Sequence, residues 1–142
     1  PDPRQAFSPG GRFVAVVADF LTKAIDIYDL DKGQKSGSIE FANRGPDLLG
    51  MAFSRDGREF AAVYGQPFSK DTERVVIWNV ANGAILSDFE LPDPDQRKRD
   101  MLNSKTSLQW FPDGKRLLFN GLYVIDRDSK SVVFELPKQT LD

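Results

Sequence analysis

The chain has 142 residues, 40% of them hydrophobic and 28% charged, with a net charge of −2, the balance of a globular domain that buries roughly 68–70% of its unfolded surface. So small a charge gives no electrostatic reason to expect nucleic acid or an anionic membrane, and no run approaches the ~18–20 apolar residues of a membrane span. Cys and His are both absent, which excludes disulfides, thiolate and imidazole metal sites, thiol nucleophiles and His-based acid–base catalysis, and fits any compartment.

At the start, Pro1 to Gln5 show no basic residue followed by an apolar stretch, so no signal peptide is read there. A chain opening on Pro1 is consistent with a processed or excised piece. The first strand-like run, Arg12 to Ala18, follows the turn Phe7-Ser8-Pro9-Gly10-Gly11. A second, Lys23 to Asp29, ends at Asp31-Lys32-Gly33, and a third spans Ser36 to Phe41. The next unit repeats this order. Leu48 to Phe53 leads into Ser54-Arg55-Asp56-Gly57, then Glu59 to Tyr64, Arg74 to Val80, the turn Ala81-Asn82-Gly83, and Ala84 to Leu91. A third unit runs from Ser107 to Leu136, with Pro112-Asp113-Gly114 after its first strand and the hairpin signal Asn120-Gly121 after its second. Both residues of that pair tolerate positive φ, which a two-residue hairpin requires. Alternating apolar residues, β-branched and aromatic enrichment and bounding turn residues support every strand, and recurrent Pro and Gly argue against helix.

Each unit therefore reads as a four-stranded antiparallel meander, over about 4–41, 48–91 and 106–137. The turn glycines Gly11, Gly57 and Gly114 mark the period, and the insertion Pro92 to Asp100 lengthens the second interval. Four-stranded units repeating every ~40–45 residues resemble β-propeller blades. Three features are similar to the WD40 repeat and WD40-like propeller superfamily. The aromatic-Ser-Pro-Asp-Gly turn is matched by Phe7 to Gly11, Phe53 to Gly57 and Phe111 to Gly114. The Trp-Asp pair ending the third strand appears as Tyr28-Asp29, Trp78-Asn79 and Ile125-Asp126. The Asp/Asn-x-Gly turn appears as Asp31-Lys32-Gly33 and Asn82-Gly83, and is lost at Asp128-Ser129-Lys130. The Gly-His pair of regular WD40 blades is missing, so the sequence looks more like the divergent propellers common in bacteria.

The fold class is thus all-β, with about three blades of a larger or oligomer-completed propeller. The first blade is expected to lack most of its first strand. Propellers have typically 4–8 blades, so both ends of a three-blade array leave a face uncovered. If each is ~500 Å², about 12 kcal/mol of burial goes unused at roughly 25 cal/mol per Å². Whole domains are stable by only about 5–15 kcal/mol. Further blades, from the same parent chain or a second copy, are therefore expected partners, the remaining alternative being an open arc that other sequence caps.

In such a meander the first–second and third–fourth turns share one rim, and the second–third loops and blade connections share the other. The long, irregular segments fall on the second rim, and binding favours loops held on a rigid scaffold. Candidate partner-binding residues there are Phe20, Arg44, Gln66, Phe68, Lys70, Arg97, Lys98 and Arg99. Phe20 and Phe68 read either as exposed anchors or as side chains tucked onto their own blades. Arg97 to Arg99 reads as a docking cluster for acidic protein or phosphate, or as a solvated loop neutralised by Asp93, Asp95 and Asp100. Trp78, Tyr28 and Trp110 read as packing between blades. Asp29-Leu30-Asp31 and Asp126-Arg127-Asp128 faintly suggest calcium loops, but turn-capping aspartates explain them better.

The resemblance implies a non-catalytic protein-interaction scaffold, with no cofactor, metal, nucleic acid or membrane. The alternative is an accessory propeller gating a larger enzyme, as in prolyl-oligopeptidase-like peptidases. This chain has no Gly-x-Ser-x-Gly elbow and no His, so catalysis would then lie outside it. A carboxylate-based propeller enzyme is a third reading, disfavoured because the aspartates sit in turns.

Overall fold

A computed structural model describes residues 5–19, 24–39, 47–65, 73–91 and 107–137. Twelve strands and no helix occur among them. Sheet 1 is built from β1 (Gln5–Phe7), β2 (Phe13–Asp19), β3 (Ala24–Asp29) and β4 (Gln34–Ile39). Sheet 2 has β5 (Asp47–Phe53), β6 (Glu59–Gly65), β7 (Arg74–Asn79) and β8 (Ile85–Glu90). Sheet 3 has β9 (Leu108–Trp110), β10 (Arg116–Phe119), β11 (Tyr123–Asp126) and β12 (Ser131–Glu135). Within each sheet the strands pair in chain order and antiparallel, so each sheet is a simple meander.

The core consists of two seams between adjacent sheets. In the first, Ala15, Ile25, Ile27 and Ile39 of sheet 1 meet Phe53, Phe60, Tyr64, Val76, Trp78 and Val80 of sheet 2. Phe60 lies 4.9 Å from Phe53 and 5.9 Å from Trp78, between ring centroids, within the range of favourable aromatic pairs. In the second, Ala61, Val63, Val75, Ile77 and Phe89 of sheet 2 meet Leu108, Leu117, Phe119, Tyr123 and Ile125 of sheet 3. Successive strand residues point to opposite faces, and both faces of sheet 2 are covered. That is why Phe60 to Tyr64 and Val75 to Trp78 are apolar without interruption and all buried. In β3, covered on one face, buried Ile25 and Ile27 alternate with the more exposed Asp26 and Tyr28.

The sheets converge on their first strands, with β5 lying against both β1 and β9. A glycine allows the approach to β9: a Cβ on Gly50 would sit 3.0 Å from the Leu108 Cβ and 3.3 Å from backbone of Ser107 and Leu108.

The first sheet's first strand is short: β1 has three residues, as has β9, against seven in β5, and pairs Gln5, Ala6 and Phe7 with Val16, Ala15 and Val14. Two details differ from expectation. In the third unit the counterpart of Phe7 and Phe53 is Trp110 and not Phe111, because Phe7↔Val14, Phe53↔Phe60 and Trp110↔Leu117 are equivalent register pairs. The third–fourth turn of sheet 3 survives without glycine, since Lys130 adopts φ 56° where Gly33 and Gly83 have φ 65° and 71°.

Candidate functional site

The rim carrying the first–second and third–fourth turns is held by its own hydrogen bonds. In sheet 1 the Ser8 hydroxyl accepts from the Phe13 amide at 2.8 Å. In sheet 2 Ser54 accepts from the Glu59 amide at 3.0 Å and donates to Asp56 at 2.7 Å, while Asp56 accepts from the Arg58 amide at 3.0 Å. Sheet 3 has Phe111 in the serine position, and Asp113 accepts from the Lys115 amide at 2.9 Å and from Arg116 at 2.7 Å. The Arg58 amide and Ser54 hydroxyl hold the Asp56 carboxyl below the ordinary value, as the Lys115 amide and Arg116 guanidinium do for Asp113.

The third–fourth turns work the same way. Asp29 accepts from the Asp31 and Lys32 amides at 3.1 and 3.2 Å and faces Arg12 at 3.3 Å. Burial opposes ionisation of Asp29, but the Lys32 amide and Arg12 outweigh it and its pKa is lowered. Asn79 caps with its side-chain oxygen, accepting from the Ala81 amide at 2.9 Å. Asp126 accepts from the Ser129 amide at 2.7 Å, which with the Ser129 hydroxyl lowers its pKa. These aspartates are turn caps, as the sequence favoured over calcium loops. Among the described residues no group of three or more acidic side chains is placed to hold a metal.

Where sheet 3 meets sheet 2, this rim also carries a cross-seam clamp. The Arg127 guanidinium donates to Glu59 at 2.6 Å and to the Gly114 carbonyl at 3.1 Å, and lies 5.7 Å from the Trp110 ring centroid. Trp110 in turn donates from Nε1 to the Ala52 carbonyl at 3.0 Å. The sequence reading did not single out Arg127 or Glu59. The available signal was positional: Leu30, Val80 and Arg127 each directly follow a third strand. At the first seam Val80 is buried, and Phe13 packs against the cluster that contains it.

On the opposite rim Asn120 and Gly121, with φ 56° and 68°, close the β10–β11 hairpin as predicted. The Asn120 side-chain oxygen accepts from the Ser107 amide at 3.1 Å, and the Asn120 amide donates back to the Ser107 carbonyl at 2.9 Å. The strand ends Ala24, Gly65, Arg74 and Leu108 lie on this rim by the antiparallel pairing. All eight candidate binding residues, Phe20, Arg44, Gln66, Phe68, Lys70, Arg97, Lys98 and Arg99, fall outside the described residues.

Among the described residues no sheet packs on the outer face of sheet 1 or of sheet 3. Phe7, Tyr28 and Leu30 are exposed on sheet 1, and Phe134 is exposed on sheet 3. On the outer half of the sheet 1 face Asp26 is neutralised by Lys35 at 3.2 Å and accepts from Ser38 at 2.7 Å. Tyr28 therefore does not pack between sheets as Trp78 and Trp110 do; among the described residues no neighbouring sheet stands against it. An open hollow of about 440 Å³ lies along the converging first strands, with Phe7, Met51, Arg55 and Trp110 in its wall.

Three stacked antiparallel meanders, packed face to face and converging on their first strands, have the arrangement of β-propeller blades. A solved structure shares the arrangement: the β-propeller domain of Myceliophteria thermophila Cps50 (Swd1), with a TM-score of 0.61 and 18% identity. The match covers 96% of this chain and 41% of that one, so this chain spans about two fifths of that domain. In all, 423 solved chains match, a fold too widely shared to name an activity. No protein-family model matches the sequence, and no curated protein does.

Proposed function

We propose that the chain is a non-catalytic protein-interaction scaffold, a run of WD40-like blades that holds its partner on the rim opposite the short Gly turns. The observation supporting this is that the turn aspartates and several arginines of the short-turn rim are committed to one another and to the turn backbone. Asp29, Asp56, Asp113 and Asp126 each accept turn amides, and Arg12, Arg116 and Arg127 are paired with Asp29, Asp113 and Glu59. Recognition then falls to the other rim. To that rim the sequence assigns Phe20 and Phe68 as apolar anchors, Arg44, Lys70 and Arg97 to Arg99 as cations and Gln66 as a polar contact. Aromatic and arginine side chains are the commonest interface hot spots, and the cationic cluster selects an acidic protein surface.

The test compares proteins retained from a lysate of the source cells by three immobilised forms of the chain. They are wild type, a variant with Phe68, Arg97, Lys98 and Arg99 changed to alanine, and a short-turn control with Arg55 and Lys32 changed to alanine. The first variant should lose a wild-type binding protein by about tenfold or more, the equivalent of ~1.4 kcal/mol, with the control unchanged. Loss in the control alone would place the binding surface on the wrong rim.

A further inference from the structure

The two closed seams end differently at the short-turn rim. Phe13 and Val80 at the first seam hold the positions of Glu59 and Arg127 at the second. In each pair one residue opens a second strand and the other directly follows the third strand of the next sheet. At the second seam Arg127 reaches across, donating to Glu59 at 2.6 Å and to the Gly114 carbonyl at 3.1 Å. At the first seam both residues are apolar and belong to one packed cluster. Val80 is too short to span the turns as Arg127 does, and a groove of about 620 Å³ opens between the turns of sheets 1 and 2, with Phe13 and Val80 in its wall. A hollow of about 270 Å³ continues it outward between β4 and the turn residues Asn82 and Gly83. The two share Ser36, Asn79, Val80 and Ala81, so together they form one elongated groove.

The charge of this groove is opposite to that of the chain. Its wall holds Arg12, Lys32 and Arg58 against Asp29 and Asp56, whereas the whole chain carries −2. Both carboxylates are occupied. Asp29 is held by Arg12 and by the Asp31 and Lys32 amides, and Asp56 by the Ser54 hydroxyl and the Arg58 amide. Lys32 and Arg58 are exposed, and neither side chain has an ion pair among the described residues. They can therefore meet an anionic group without first breaking a bond of the protein's own. An apolar strip flanked by uncommitted cations is complementary to a ligand that is both apolar and acidic. A small anion would use the cations alone, whereas a groove that passes two turns and follows β4 matches an extended chain.

From this we infer that the first seam is a second binding site, which takes an extended acidic peptide segment of a partner protein. An apolar side chain of that segment lies against Phe13 and Val80, and its carboxylates meet Arg58 and Lys32. The site stands on the rim opposite to the one proposed above and does not depend on it. At the second seam Arg127 holds the equivalent place from within.

A random octapeptide library displayed on phage, selected on the full 142-residue chain, tests it. Enriched peptides should combine aspartate or glutamate with a large apolar residue, and synthetic copies should bind more weakly as salt rises. Arg58→Glu should weaken them about tenfold or more. Lys115 directly precedes β10 as Arg58 precedes β6, so Lys115→Glu makes the same change on the same rim away from the groove and should leave binding unchanged. Phe13→Glu/Val80→Arg copies the Glu59–Arg127 pair into the first seam and should abolish binding. Arg58 is exposed, so its variant and the wild-type salt dependence decide the matter if the double variant does not fold. Enriched peptides without acidic residues, or whose binding survives Arg58→Glu, would overturn the inference and leave the long-loop reading as it stands. A selection that enriches nothing would overturn it as well.

Discussion

Sheets 1 and 2 share a strand order, a turn chemistry and a register, yet equivalent residues have opposite fates. Phe53 is 6% exposed and its counterpart Phe7 63%; Trp78 is 4% and Tyr28 37%; Val80 is 9% and Leu30 50%. The sheets themselves do not differ enough to cause this. What differs is the neighbour: sheet 2 has sheet 1 against that face, and sheet 1 has no sheet against it among the described residues. Burial in this fold therefore belongs to seams between sheets, as in other arrays where each unit contacts only its neighbours.

The largest expected effect contrasts one aromatic inside a seam with one at the open face. Phe60 is fully buried between Phe53 and Trp78, so Phe60→Ala should cost about 3–5 kcal/mol. Phe7→Ala at the uncovered face should stay within about 0.5 kcal/mol, as for a surface change. Urea unfolding followed by tryptophan fluorescence checks both, and a Phe7→Ala cost near that of Phe60→Ala would mean that the face is covered in solution. Should a further sheet cover that face, the Phe7→Ala cost should rise toward the Phe60→Ala value.

The two seams offer a second contrast. Arg127 makes a charge-assisted bond to Glu59, a further bond to the Gly114 carbonyl and a contact with the Trp110 ring. Hydrogen bonds involving charged groups contribute about 1.5–3 kcal/mol, so Arg127→Val should destabilise by about 2 kcal/mol. Adding Glu59→Phe converts the pair to the Phe13–Val80 type found at the other seam, and should recover about half of that loss or more. A double-mutant cycle measures the coupling; strictly additive costs would show that the two positions are not a pair.

The repeats, the strands and the hairpin at Asn120 and Gly121 were legible in the sequence because they are local. Alternation is read within a strand, and φ demands are read from the residue that meets them. Trp78 and Trp110 were correctly read as packing between sheets, whereas the same reading failed for Tyr28, since exposure there is decided by whether a further sheet stands against that face, and none does among the described residues. The Glu59–Arg127 pair joins residues 68 positions apart, and neither residue looks unusual in its own segment; only the register, which sets Arg127 beside Val80 and Leu30 in the repeat, exposes its role. The candidate rim residues, Phe20 and Phe68 among them, lie outside the described segments. Their reading stands on topology alone.

The smallest effect separates the third sheet's turn from those of the first two. Gly33 and Gly83 take positive φ where the chain turns into its fourth strand, and Lys130 does so in sheet 3 at φ 56°. A side chain in the left-handed region costs roughly 1–2 kcal/mol. Glycine removes that strain but has more unfolded-state freedom to lose, a penalty of about 0.4–1 kcal/mol. Lys130→Gly should therefore stabilise the chain by about 0.5 kcal/mol, while Gly83→Lys, the reverse change in sheet 2, should destabilise it by a similar amount. The Asp126 bond to the Ser129 amide at 2.7 Å already fixes the turn, so Lys130→Gly should raise the unfolding midpoint without altering the slope against denaturant. A changed slope would mean that Lys130 holds the turn by a contact of its own.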